Sequence, residues 1–154
     1  MDYVLVNVPI FSRLVPLVLC DAHLSPGQFN PNYLGMAVFV GCFSIGDPHS
    51  FADGEDVSTH NNGTTFANGK KRKRTLPIML VGCKKDVRTE SEESNKDGTR
   101  RFISVEEGRV MARRLGAMMY LECSAKTGEG VDEVFYHAAR LSLLYANDTV
   151  SSKR

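Results

Sequence analysis

Leu76 to Gly82, LPIMLVG, is apolar at successive positions, and it constrains the fold more than any other stretch. A strand with one wet face alternates apolar and polar residues. A run without alternation suits a strand covered on both faces, as in a parallel sheet flanked by helices. The run ends in Cys83-Lys84-Lys85-Asp86, so a buried strand surfaces into three ionic side chains. In an open parallel sheet, the carboxyl ends of the strands are where ligands bind.

Other segments agree with such a sheet. Met36 to Phe43, MAVFVGCF, reads as a second strand apolar on both faces, closed by the turn signal Asp47-Pro48. Met118 to Cys123 reads as a third. Between the last two, Ser104-Val105-Glu106-Glu107 is a capping box. The helix it opens carries Val110, Met111 and Leu115 on one side and stops at Gly116. Val131, Val134, Phe135, Ala138, Ser142 and Tyr145 recur at helical spacing, with Glu129, Asp132 and Glu133 near the positive end. Alternating strands and helices predict an α/β fold with a mostly parallel sheet.

The rest of the chain is less regular. Tyr3 to Val8, YVLVNV, reads as a short strand that could cover the open edge of the strand at 36–43. Residues 52–75 hold one Val, one Phe and two Ala, and their composition favours a structureless loop. A charge boundary falls inside it. Residues 1–69 carry one Arg and six acids, a net of −5, whereas residues 70–154 carry eighteen basic and twelve acidic residues, a net of +6. The expected organisation is a divergent segment at 1–35, a domain made of 36–51 and 76–147, the loop at 52–75 and a tail at 148–154. The run Lys70 to Arg74, KKRKR, reads first as a solvated loop; a nuclear localisation signal is the alternative.

Composition excludes several classes. An apolar share of 42% and a charged share of 24% suit an ordinary globular domain. The apolar start lacks a signal-peptide pattern, because Asp2, Pro9, Arg13 and Pro16 interrupt it. The uncharged run from Ala22 to Gly46 holds too many Pro, Gly and Asn for a membrane span. Cys20, Cys42, Cys83 and Cys123 are widely spaced and predict buried free thiols rather than disulfides or a metal site. The expected location is cytoplasmic, with no nucleic-acid partner.

Two loops remain as candidates for chemistry: GCKKD after the strand at 76–82, and CSAKTGEG after the strand at 118–123. Consecutive right-handed crossovers bring such loops together. Here the sequence resembles a known family. VGCKKD looks like the guanine-recognition motif of small GTPases, Asn/Thr-Lys-x-Asp, with Cys83 at its variable first position. ECSAKTGEGVDEVF looks like their Ser-Ala-Lys motif and the helix after it. The wording resembles the Rho branch: LPIMLVGCKKDVR, YLECSAKTGEGVDEVF, AVFVGCFSIGDPHSF, and an acidic connection from Thr89 to Arg101 about as long as the Rho insert. FSRLVPL faintly resembles the Arg-Leu-x-Pro-Leu stretch after switch II.

The resemblance implies a partial small-GTPase (P-loop NTPase-like) fold and a guanine site. Asp86 would accept from guanine N1–H and the 2-amino group, which adenine lacks. The stem of Lys84 would lie along the base. The Ala125 backbone N–H, held by Ser124, would donate to guanine O6, and Lys126 would pack on the other side. Lys85 is expected to be merely solvated. GTP or GDP would be the ligand, and Rho-type regulators and effectors the partners.

Other family features do not occur in this sequence. Gly-x-x-x-x-Gly-Lys-Ser/Thr, which cradles the phosphates, is absent; Gly63 to Lys71 is a decoy with the wrong spacing. Switch I, the Asp-x-x-Gly that helps hold Mg²⁺ and the water-orienting Gln are also missing; the one Gln is Gln28. No catalytic residue and no Mg²⁺ site is therefore assigned. A C-terminal prenylation Cys is not present, so a lipid anchor is not expected. These gaps suggest a truncated homologue that keeps the base-recognition half. A non-catalytic interaction protein and an unstable fragment are the alternatives.

Overall fold

The apolar runs do become a parallel sheet. The structure, a computed structural model, describes residues 3–21, 37–51, 64–67, 70–73, 77–94 and 101–151. In chain order the elements are β1 (Tyr3–Ile10), β2 (Arg13–Cys20), β3 (Phe39–Ser44) and a single helical turn, α1, over 48–51. Then come β4 (Thr64–Ala67), β5 (Lys70–Lys73), β6 (Ile78–Cys83), α2 (Asp86–Ser94), α3 (Val105–Arg114), β7 (Met119–Glu122) and α4 (Val131–Ser151).

The central sheet has the order β3-β6-β7 with both pairings parallel, Phe39 opposite Ile78 and Met79 opposite Met119. Its two faces are sorted by residue parity. Phe43 and Ile45 (from the β3 side), Leu80 and Tyr120 face α3, where they pack with Ile103, Met111 and Ala112. Val40, Met79, Val81, Met119 and Leu121 face α4, where they meet Val134, Ala138 and Leu141. Burial on both faces is why LPIMLVG shows no alternation.

The capping box forms as the sequence predicts. Ser104 Oγ accepts from the Glu107 backbone N–H at 3.2 Å, and the Glu107 carboxylate accepts from the Ser104 N–H at 2.8 Å. These bonds hold the Glu107 carboxyl down at about 2, with the Arg101 guanidinium adding to the effect. Gly116, at φ 64°, ends the helix in the left-handed conformation that favours glycine. Within α3, Gly108 is demanded by space: a Cβ there would lie 2.2 Å from Tyr120 Cζ.

Two expectations change, and one unassigned stretch gains an element. Tyr3–Val8 does not cover the edge of β3. It extends to Ile10 and pairs antiparallel with β2, Tyr3 opposite Cys20 and Ile10 opposite Arg13. A two-residue turn with Phe11 at φ 53° joins the strands, and such local closure costs far less entropy than a long-range pairing. Residues 64–67 and 70–73, expected to be structureless, pair as an antiparallel hairpin, Thr64 opposite Lys73; this also removes Gly63–Lys71 as a phosphate loop, which needs a helix after the glycines. The acidic connection after Asp86, to which the sequence assigns no element, begins with helix α2. The remaining calls on 22–36, 52–63, 95–100 and 152–154 lie outside the described residues.

The β1-β2 hairpin does not extend the central sheet but packs on α4. Val8 and Ile10 are buried against Ala139, with Phe135 and Tyr136 alongside. Its other face leaves Leu5, Leu14 and Val18 exposed.

Candidate functional site

The carboxyl ends of β6 and β7 bring the two charged loops together. Beyond β6, Lys84 adopts φ 60°, a left-handed conformation unusual for a residue with a side chain. That turn carries the Lys85 N–H to the Cys123 carbonyl at 3.1 Å and starts α2 at Asp86. Beyond β7, the loop folds around Ser124, which is fully buried. The Ser124 N–H donates to Glu129 O, the Gly128 N–H donates to Ser124 O, and the Thr127 N–H donates to Ser124 Oγ. Gly130 closes the loop at φ 73°; a Cβ there would sit 2.4 Å from Glu122 O.

Side chains then join the loops. Ser124 Oγ donates to Asp86 Oδ1 at 2.5 Å. Lys126 pairs with Glu90, one turn along α2 from Asp86, and that contact raises the Lys126 ammonium above its ordinary value. Lys85 Nζ reaches Glu129 at 2.5 Å, so Lys85 is not merely solvated: it bridges the two loops. Lys84 and Ala125 are exposed beside them.

Beneath lies a charged brace. Arg88 on α2 holds Glu122 at the end of β7 with two 2.9 Å hydrogen bonds and donates a third, at 2.6 Å, to the Ile103 carbonyl. The Tyr120 hydroxyl donates to Glu122 Oε1 at 2.7 Å. Burial pushes the Glu122 carboxyl up, but Arg88 and Tyr120 outweigh it and leave it below its ordinary value.

The structure thus brings Asp86 and Ser124 into direct contact and Lys126 close by. Cys83, the first position of the candidate motif, packs instead into the apolar cluster under α4. Glu90, Arg88, Glu122 and Glu129 were missed by sequence reasoning. Their role is visible only once α2 is recognised as a helix, which places Arg88 and Glu90 against the second loop.

An open parallel α/β sheet with two interlocked loops at its carboxyl edge defines an α/β protein whose charged loops lie where such sheets usually place ligands. The Ras family matches residues 28–143 of the chain. GTP-binding protein rho5 of Schizosaccharomyces pombe is 39% identical over 137 residues, 87% of this chain and 58% of that protein. GTP-binding protein RHO1 of Candida albicans is 40% identical over 145 residues, 89% of this chain and 68% of that protein. GTP-binding protein RHO2 of Saccharomyces cerevisiae is 50% identical over 68 residues, 44% of this chain and 35% of that protein. The chain belongs to the Ras family of small GTPases, in its Rho branch. It spans 58% of the length of the rho5 relative.

Proposed function

We propose that the paired loops bind a guanine nucleotide through its base. The observation that carries this reading is the Ser124–Asp86 hydrogen bond, which fixes the Asp86 carboxylate at the edge of the sheet. The remaining lone pairs of that carboxylate can accept from guanine N1–H and the 2-amino group, a pattern adenine does not offer. Lys84 and Lys126, both exposed, supply flanking stems and positive charge. The Ala125 N–H is the donor for guanine O6. The GTP-binding names of the relatives support the same ligand.

The phosphate end is another matter. The sequence holds no phosphate-cradling motif, and among the described residues no group of three or more His, Cys, Asp or Glu could hold a metal ion. No residue is assigned to Mg²⁺, and no hydrolytic step is derived through it. Base contacts to a carboxylate contribute roughly 1.5–3 kcal/mol each, offset in part by ligand immobilisation. The expected dissociation constant is about 10 μM to 1 mM.

A thermal melt with millimolar GDP, and ADP as control, tests the reading. At a dissociation constant near 100 μM, 1 mM GDP adds about 1.4 kcal/mol, a shift of a few degrees. A shift with GDP and none with ADP is expected; equal or absent shifts overturn the base-recognition reading.

A further inference from the structure

Lys85 holds both ends of the loop that carries Ala125 and Lys126. Its backbone N–H donates to the Cys123 carbonyl at 3.1 Å, where the loop leaves β7. Its ammonium pairs with Glu129 at 2.5 Å, where the loop turns back toward α4. One residue of the β6 loop thus spans the mouth of the β7 loop. Inside that mouth the loop closes on itself. The Ser124 N–H donates to Glu129 O at 2.9 Å, and the Glu129 N–H donates to Thr127 Oγ1 at 3.3 Å. The Ser124–Asp86 bond fixes the start of the loop, and the Lys85–Glu129 pair fixes its end.

We infer that Lys85 is a positioning residue of the proposed guanine site: by stapling Cys123 to Glu129 it sets the direction of the Ala125 N–H that meets guanine O6. The inference rests on the guanine reading and deepens it. Lys84 and Asp86, on either side in sequence, act on the base directly, whereas the Lys85 ammonium is turned to the loop.

The direct energy of such a pair at a wet surface is small. Its weight falls on the freedom of the loop. An untied loop offers the Ala125 N–H in the binding geometry for a smaller fraction of the time, and the observed dissociation constant rises by the inverse of that fraction. The expected effect is about two- to fivefold. It is confined to the O6 contact, because α2 and Ser124 hold Asp86 independently of Lys85 Nζ.

The experiment measures nucleotide binding to the full chain by equilibrium dialysis, and amide exchange by NMR. Lys85→Met keeps the stem and removes the ammonium; it is expected to weaken GDP binding about two- to fivefold. Lys85→Arg is expected to stay near wild type. Lys85→Met combined with Glu129→Gln is expected to be no weaker than Lys85→Met alone. In 6-thioguanosine diphosphate a sulfur, a poorer acceptor, replaces O6, so the Lys85→Met penalty is expected to shrink. Inosine diphosphate keeps O6 and is expected to show the full penalty. Equal penalties for GDP and the thio analogue, or additive losses in the double variant, overturn the positioning role. In the nucleotide-free chain the Thr127 and Gly128 amides donate to Ser124 Oγ and O, so they report on loop order directly. Their exchange is expected to quicken in Lys85→Met while that of Ala117, bonded to Ala112 O, does not change. Unchanged exchange at Thr127 and Gly128 overturns the staple itself. If their exchange quickens but wild type binds GDP and ADP alike, the guanine reading fails and takes the positioning role with it, and the loop staple stands.

Discussion

The Ser124 hydroxyl donates to the Asp86 carboxylate across 38 positions of sequence, tying the loop after β7 to the first residue of α2. Ser124→Ala removes that donor and also the acceptor of the Thr127 N–H. The expected cost is about 1–2 kcal/mol in chemical denaturation, because a half-buried carboxylate loses its orienting partner. The GDP-dependent melting shift is expected to shrink with it. Asp86→Ala is expected to abolish that shift while leaving a cooperative melt.

Two ion pairs link α2 to the rest of the site, and they are expected to differ in weight. Arg88–Glu122 is bidentate, with side-chain exposures of 25% and 11%. Arg88→Ala strands the Glu122 carboxylate and the Ile103 carbonyl and is expected to cost about 3 kcal/mol. Lys126–Glu90 is exposed on both sides, so Glu90→Ala is expected to change stability far less than Arg88→Ala. Urea titration of the two variants checks the ordering.

Alanine ordinarily stabilises a helix relative to glycine by about 1 kcal/mol. At Gly108 the sign is expected to reverse. The new methyl would meet the Tyr120 ring, which is itself pinned by its bond to Glu122. Gly108→Ala is expected to lose about 1–3 kcal/mol by overpacking. Adding Tyr120→Leu to Gly108→Ala, measured in a double-mutant cycle, should recover part of the loss.

The capping carboxylate gives a pH signature. Glu107 has a folded value of about 2 against an ordinary 4.5. A depressed carboxyl contributes stability that is fully present above its unfolded value and is lost as pH falls through the folded one. The stability difference between wild type and Glu107→Gln is therefore expected to be constant above about pH 5 and to shrink toward pH 2. Denaturation at a series of pH values measures it; a difference that holds constant to pH 2 contradicts the assignment.

The parallel sheet, the capped helix and the loop pair were legible because each is written locally. LPIMLVG needs covering on two faces, Ser104 and Glu107 satisfy each other within one turn, and Val131 to Tyr145 keeps a helical period. What was not legible depends on partners distant in sequence or on turns without a strong residue signal. The β1-β2 turn uses Phe11 and Ser12, neither a usual hairpin residue. Strands β4 and β5 pair TTFA with KKRK, which has almost no apolar content to announce a strand. Helix α2 is anchored through Arg88 to Glu122, so hydropathy alone gives it no buried face to detect.

Helix α4 presents Val134, Ala138 and Leu141 to the sheet and Ala139, with Phe135 and Tyr136, to the β1-β2 hairpin. Leu17 of β2 reaches both clusters, so hairpin and sheet close on α4 together. Helix α4 is thus a party wall between them: each side stays dry only while the other keeps the helix in place. Loosening the hairpin weakens the sheet, and with it the loops at the sheet's edge, even though no hairpin residue comes near them in sequence.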